Sequence, residues 1–335
     1  MGRKGKTLKI LFICNSVEGT LKYRVILPAK YLKAEVAPQI NVMTLEAIVY
    51  LNLFGKMQSI LRPMTYYDVI VLQYAWDKDL VFLIARLTKL GIKVVLDFDD
   101  DYFNSNPFYP IDYSDNRMHN LVKSMSMADL ITVTTESLAE TYSKYNSNIV
   151  ILPNMIDLSE YENYIKPKSR YVGWYASGIR FEEFRSILEG WIPDDIYLFM
   201  AGSKIFERFK HKNKIIIDRF NPADIANILA NIYIGLIPLK LCKFNNGKSD
   251  LKGLEYGAMS IPFIASPTDP YKKLIRHGEN GFLAKHGRDW TKYISLLIND
   301  AKLRHRMGVE ARKVSEARDI QVNINKWTKA YICLK

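Results

Sequence analysis

The chain has 335 residues, 48% of them apolar and 24% charged, which supplies two buried cores at roughly 100–200 residues per domain and leaves little room for disorder away from the ends. Lys and Arg number 47 against 35 Asp and Glu, a formal charge of +12; this favours anionic partners such as a nucleotide sugar, a nucleic acid or an acidic membrane surface without choosing among them. Cys14, Cys242 and Cys333 are the three cysteines, far apart and without CxxC spacing, which excludes a disulfide framework and a structural zinc site.

Residues 8–14 form a near-continuous apolar run that gives way to a turn around Asn15 and Gly19, the pattern of a strand buried on both faces. A helix is predicted over 23–32, kinked or bounded at Pro28. Strand 68–73, amphipathic helix 80–90 stopped by Gly91, and strand 93–97 follow. Helix 121–127, strand 130–134, helix 137–145 and strand 149–152 complete a first series. Residues 36–66 are irregular, and the apolar patch at 48–54 reads either as core or as an exposed helix. A polar, tyrosine-rich linker with Pro167 is predicted over 154–169. The second series has strands at 171–175, 196–200, 214–217, 232–237 and 262–265, helices at 181–188, 222–230 and 251–259, and a charged helical tail from Trp290.

Such alternation implies parallel βαβ units, so the fold class is α/β: two doubly wound, Rossmann-like domains in tandem, with ligands at the strand C-terminal ends. The first domain is expected over 1–165 and the second over 166–317, with a C-terminal helix at about 318–335 packing back on the first. No stretch reaches the ~18 uncharged apolar residues of a membrane span. The apolar run behind the basic N-terminus is too short for a signal-peptide core. A cytoplasmic protein, peripheral to a membrane at most, is the expectation.

The most informative stretch is 244–266, FNNGKSDLKGLEYGAMSIPFIAS. Its first residues read as a polar loop feeding a helix, with Ser249 or Asp250 as N-cap. A helix N-terminus offers unbonded N–H groups and a positive dipole end to an anion. Lys248 and Lys252 add charges suited to a diphosphate. Glu255 lies three residues after Lys252, one turn deeper on nearly the same face. A second candidate is the acidic run Asp97, Asp99, Asp100 and Asp101, at a strand C-terminus. Mutually repelling carboxylates need a reason to gather: an acid–base role, a helix cap or a divalent-metal site. Arg180, after the first strand of the second series, is either an anion contact or a charged helix start. Arg24 either faces a ligand or bonds across its helix to an acid. The five histidines show no metal spacing, and the basic run 204–214 reads as a solvated loop or an anion-attracting rim.

Together these segments resemble the glycogen-synthase-like (glycosyl transferases group 1) family of retaining glycosyltransferases with the GT-B fold. The likeness is carried by 254–266 with the preceding Lys248, Ser249 and Lys252, by 152–157 (LPNMID), 172–177 (VGWYAS), 235–239 (GLIPL) and 278–283 (GENGFL), and by Asn15, Tyr23, Arg24 and 27–29 near the start. It spans nearly the whole chain, and the order and spacing of the pieces are more specific than any one piece.

The resemblance implies a UDP-sugar or GDP-sugar donor, no tightly bound cofactor and no metal. It makes Glu255 the ribose contact and puts the diphosphate near Arg180, Lys248, Ser249 and Lys252, with Asn15, Gly19 and Arg24 completing the donor set from the first domain. Many members carry a further glutamate where this chain has Gly247, which leaves the sugar undetermined. Asp99, with Asp100 beside it, stands where many relatives have a histidine near the reacting carbon; the implied role is to orient the acceptor hydroxyl or take its proton. The acceptor is expected to be a cell-envelope saccharide or lipid-linked sugar. The rivals are a hydroxylated base in DNA, which would use the positive charge, and a non-catalytic GT-B module that binds sugar or nucleotide.

Overall fold

Every residue of Ile10–Cys14 (β1) is apolar and buried, which is possible only in a sheet covered on both faces. In the computed structural model, which describes residues 8–14, 21–38, 48–51, 57–60, 64–73, 78–108, 115–162, 171–221 and 224–334, β1 lies inside a six-stranded parallel sheet. The other strands of this half are β2 (Glu35–Pro38), β3 (Ile48–Leu51), β4 (Met57–Ile60), β5 (Val69–Gln73), β6 (Lys93–Phe98), β7 (Leu130–Val133) and β8 (Ile149–Ile151). The sheet order is β2-β1-β5-β6-β7-β8, while β3 and β4 form a separate antiparallel pair. Helices Lys78–Lys89, Asp115–Met127 and Glu136–Tyr142 are the crossovers.

The second half repeats the plan with β9 (Tyr171–Tyr175), β10 (Tyr197–Ala201), β11 (Lys214–Ile217), β12 (Ile232–Ile237), β13 (Phe263–Ala265) and β14 (Phe282–Leu283). All its pairings are parallel, in the order β11-β10-β9-β12-β13-β14. Counted from β9 this is the 3-2-1-4-5-6 order of dinucleotide-binding sheets. Trp174 stacks on Phe184 with ring centroids 4.1 Å apart in its core.

The chain forms two compact units, one comprising Met1–Asp101, Asp112–Pro153 and Ile320–Lys335, the other Tyr102–Ile111 and Asn154–Asp319. The two doubly wound parallel sheets anticipated from the alternation are both present. No described helix is long and apolar enough to cross a membrane.

One local expectation is refined and two are corrected. The helix predicted over 23–32 begins as a π-helical turn, Lys22–Ile26, and becomes α-helical at Leu27–Leu32; Pro28 lacks the N–H that would bond to Arg24 and crowds that carbonyl, which a wider turn relieves. Residues 48–51 are a strand rather than a helix, and 52–54 lie outside the described residues. The loop predicted before Lys248 is a short helix, Lys243–Gly247, because its side chains find buried partners that sequence alone does not reveal.

Candidate functional site

The second sheet's switch point lies between β9 and β12, where successive crossovers leave on opposite faces and open a crevice at the strand C-terminal ends. Gly173 of β9 and Gly235 of β12 are paired directly across it. A Cβ on Gly235 would lie 2.6 Å from the Tyr256 ring, so the absent side chain is what lets helix Leu251–Ala258 settle onto the sheet. The Tyr256 hydroxyl donates to the Gly173 carbonyl at 3.2 Å. On the helix's other side a Cβ on Gly257 would meet Ser315 Oγ at 2.2 Å and the Ala311 carbonyl at 2.5 Å. Ser315 Oγ donates to the Leu254 carbonyl at 2.8 Å, fastening helix Leu251–Ala258 to helix Ala301–Glu316. Two close approaches thus fix the rotation of the helix that carries Lys252 and Glu255.

That rotation brings Glu255 to the end of β9. The Tyr175 hydroxyl donates to Glu255 Oε2, and both residues are buried, each 4% exposed. Burial first, and then Glu255, push the Tyr175 phenol well above its ordinary value, which keeps it a donor. Lys252 Nζ stands 4.0 Å from the centroid of the Tyr175 ring, a cation–π contact. Burial, with Arg180 and Lys248 adding repulsion and Glu255 opposing, lowers Lys252 from 10.5 to about 8.

Arg180 and Lys248 gather over a second ring. Lys248 Nζ is 4.6 Å and the Arg180 guanidinium 5.9 Å from the Phe244 centroid. Beneath them lies Glu183, 1% exposed, which no sequence signal marked. Its Oε1 accepts from the Lys240 backbone N–H at 2.8 Å, Asn245 Nδ2 at 2.6 Å and Asn106 Nδ2 at 3.3 Å, while Oε2 lies 3.5 Å from Arg180 Nη1. One buried carboxylate therefore anchors the chain segment that presents Lys248. Lys252 feels the charges of Glu255, Arg180 and Lys248, so the two rings carry neighbouring cations.

Ser249 and Asp250 are engaged differently from the expected cap. Asp250 occupies the N-cap position without a side-chain cap bond; its carboxylate is gripped by Arg318 at 3.1 and 3.2 Å. Ser249 Oγ accepts from Asn154 Nδ2 at 2.9 Å, and Arg318 also donates to the Asn154 carbonyl at 2.6 Å. An ion pair with a guanidinium outcompetes a cap bond for the carboxylate, and the helix's leading N–H groups are not capped by Asp250.

Among the residues expected from the first half, Asn15 and Gly19 lie outside the described residues. Arg24, expected at the donor, is instead wholly buried in the first unit. Its Nε and Nη2 donate to Asp97 Oδ2 and Oδ1 at 2.9 and 2.5 Å, Nη1 donates to the Leu152 carbonyl at 2.5 Å, and Trp327 covers the guanidinium at 4.7 Å. The acidic run is thereby divided: Asp97 also accepts from Thr132 Oγ1 at 2.6 Å and is structural. Asp99 is buried and Asp100 half-buried, with the Asp100 carbonyl accepting from the Tyr142 hydroxyl at 2.5 Å. Among the described residues no three His, Cys, Asp or Glu side chains converge as metal ligands.

A family model described as glycosyl transferases group 1 matches residues 251–314, the span from the Lys252–Glu255 helix to the helix that Gly257 packs against. No curated protein sequence matches the chain. Among solved structures it is similar to HepE of Anabaena in complex with UDP-glucose (14% identity, 97% of this chain and 99% of that chain, TM-score 0.69). It is likewise similar to sucrose-phosphate synthase of Thermosynechococcus elongatus (13%, 98% and 99%, TM-score 0.69). A third is the catalytic domain of starch synthase IV from Arabidopsis thaliana bound to ADP and acarbose (11%, 98% and 99%, TM-score 0.67). The chain has their fold, GT-B, with two Rossmann-like domains.

Proposed function

We propose that this chain, with its GT-B fold and its group 1 glycosyltransferase segment, transfers a sugar from a nucleotide-sugar donor to an acceptor hydroxyl. The observation that carries this reading is the cluster at the second switch point: a buried carboxylate, Glu255, with three cations, Arg180, Lys248 and Lys252, over the neighbouring rings of Tyr175 and Phe244, at a helix N-terminus that its N-cap side chain does not cap. A carboxylate bonds the hydroxyls of a ribose, and cations with a helix N-terminus take a diphosphate. UDP accompanies HepE in its solved complexes, which makes UDP-sugars the first donors to test, with GDP-sugars next.

In the proposed reaction the bond from the anomeric carbon to the diphosphate breaks, and negative charge grows on the departing nucleotide. Lys248, Lys252 and Arg180 meet that charge, and stabilising it is the main catalytic contribution of the second unit. Departure with retention, and without a tightly held metal, is part of the proposal. Asp100, the more exposed of the acidic pair, is the stronger candidate to orient the acceptor hydroxyl or accept its proton, with Asp99 behind it. Arg24 takes no part in donor binding; it holds Asp97. The acceptor we favour is a cell-envelope saccharide or lipid-linked sugar, handled on the cytoplasmic side, at a membrane surface if the sugar is lipid-linked.

The test is ligand-induced stabilisation by UDP and GDP, followed by slow donor hydrolysis across a panel of nucleotide sugars. Glu255→Ala should weaken nucleotide binding by about 1.5–3 kcal/mol, the worth of hydrogen bonds to a charged group. Unchanged binding in that variant would move the nucleotide elsewhere. For the acceptor, flotation with anionic vesicles supports a lipid-linked substrate. Tight binding to duplex DNA that falls steeply with salt, at a log–log slope of about −0.9 per phosphate, would favour a base in DNA instead.

A further inference from the structure

We infer that Tyr175 is the positioning residue for ribose recognition: its hydroxyl sets Glu255 while its ring face holds Lys252, so one side chain fixes the ribose contact and a diphosphate contact together. This rests on the nucleotide reading of the same site. Packing alone does not require the hydroxyl. Tyr256 lies in the same interface and spends its hydroxyl on backbone carbonyls, Gly173 at 3.2 Å and Leu236 at 3.5 Å. Tyr175 instead aims its hydroxyl at the carboxylate oxygen Glu255 Oε2. Its ring forms T-shaped contacts with Tyr256 at 5.6 Å and with Phe220 at 6.3 Å, which fix the position of the phenol oxygen beside Glu255. A carboxylate that accepts a bond from a fixed oxygen is restricted in how it can turn, and so in the direction in which it can receive a second hydroxyl. Lys252 on the ring face is held by the aromatic surface and not by the hydroxyl, so the two functions of Tyr175 are separable by removing one atom.

The experiment takes whichever of UDP and GDP binds the full-length protein more tightly and compares it with its 2′-deoxy and 3′-deoxy counterparts by titration calorimetry. The parent should prefer the ribonucleotide. Tyr175→Phe keeps the ring under Lys252 and removes the donor. It should cut that preference about tenfold, the scale of one hydrogen bond to a charged group, while the pH dependence of binding through Lys252 stays as in the parent. Tyr256→Phe, which removes a hydroxyl from the same interface, should lower the melting temperature comparably and leave the preference intact. In a Glu255→Ala background, Tyr175→Phe should have no further effect on the preference. An undiminished preference in Tyr175→Phe overturns the inference alone. Equal loss in Tyr256→Phe also overturns it, since the effect would then be general loosening. A parent that binds neither nucleotide, or a Glu255→Ala variant that binds as the parent does, removes the nucleotide reading and this inference with it.

Discussion

Replacing Arg24 by Met tests whether the residue is a brace rather than a ligand contact. The substitution keeps an unbranched chain of comparable length against Trp327 but removes the partner of Asp97, which is 1% exposed. Two hydrogen bonds to that carboxylate, at 2.9 and 2.5 Å, and one to the Leu152 carbonyl are lost; among the described residues the Thr132 hydroxyl at 2.6 Å remains on Asp97. Leaving one member of a buried ion pair uncompensated costs about 3–5 kcal/mol. At ~2–4 °C per kcal/mol for a unit of roughly 150–250 residues, the expected fall is about 6–20 °C. Scanning calorimetry should show it in the first unit's transition, with UDP or GDP affinity little changed. The double variant Arg24→Met, Asp97→Leu should recover most of the loss, because an apolar pair of similar volume replaces a buried ion pair at little net cost. The Leu152 carbonyl keeps that recovery incomplete. A single variant within about 2 °C of the parent, or a double variant no more stable than the single, would refute the brace.

Lys252 gives the fold and the site opposite pH responses. Its pKa falls from 10.5 to about 8 on folding, so across that window the unfolded chain holds the proton that the folded protein has released. Resistance to unfolding from this group therefore rises with pH there, while nucleotide affinity declines above about pH 8. Calorimetric titrations at several pH values should show that decline, and Lys252→Arg should move it to higher pH. Gly257→Ala would push a Cβ to 2.5 Å from the Ala311 carbonyl; overpacking of this kind costs about 1–3 kcal/mol, and a thermal melt should register it together with weaker nucleotide binding as Glu255 shifts. Asp100→Asn should lower turnover by about 10²–10⁴-fold with little change in donor affinity; full activity in Asp99→Asn and Asp100→Asn alike would return both to a structural role.

The strands were the legible part of the sequence because burial on both faces forces runs such as 10–14 and 69–72 to be apolar throughout. β2 was hidden by its Pro38 and by the irregular sequence after it, and β14, two residues long, is too short to carry any period. At the site, the Lys252–Glu255 spacing was legible since both lie on one helix, three residues apart. Glu183 was not. A glutamate in the first turn of an amphipathic helix reads as a solvated residue favouring the dipole, and only the tertiary arrival of Asn106, Lys240 and Asn245 makes it a buried anchor. The pairing of Arg24 with Asp97 was hidden for a related reason. Nothing local ties positions 24 and 97, so the acid that Arg24 meets was not readable from its own helix.

The division of the chain between its two units has a consequence for biosynthesis. Trp327 and Tyr331, from the last helix, close over Arg24 and over Phe12, the latter with ring centroids 6.3 Å apart. Those two aromatics emerge from the ribosome after every strand of both sheets. Apart from Tyr102–Ile111, the second unit is one continuous stretch, Asn154–Asp319, and can settle as soon as that stretch is free. The first sheet must wait longer than the second for its cover, with β1 awaiting a side chain more than 300 residues downstream. During that interval its apolar surface is a substrate for chaperones, and released chains truncated after Asp319 should show a protease-resistant second unit and a still-sensitive first one.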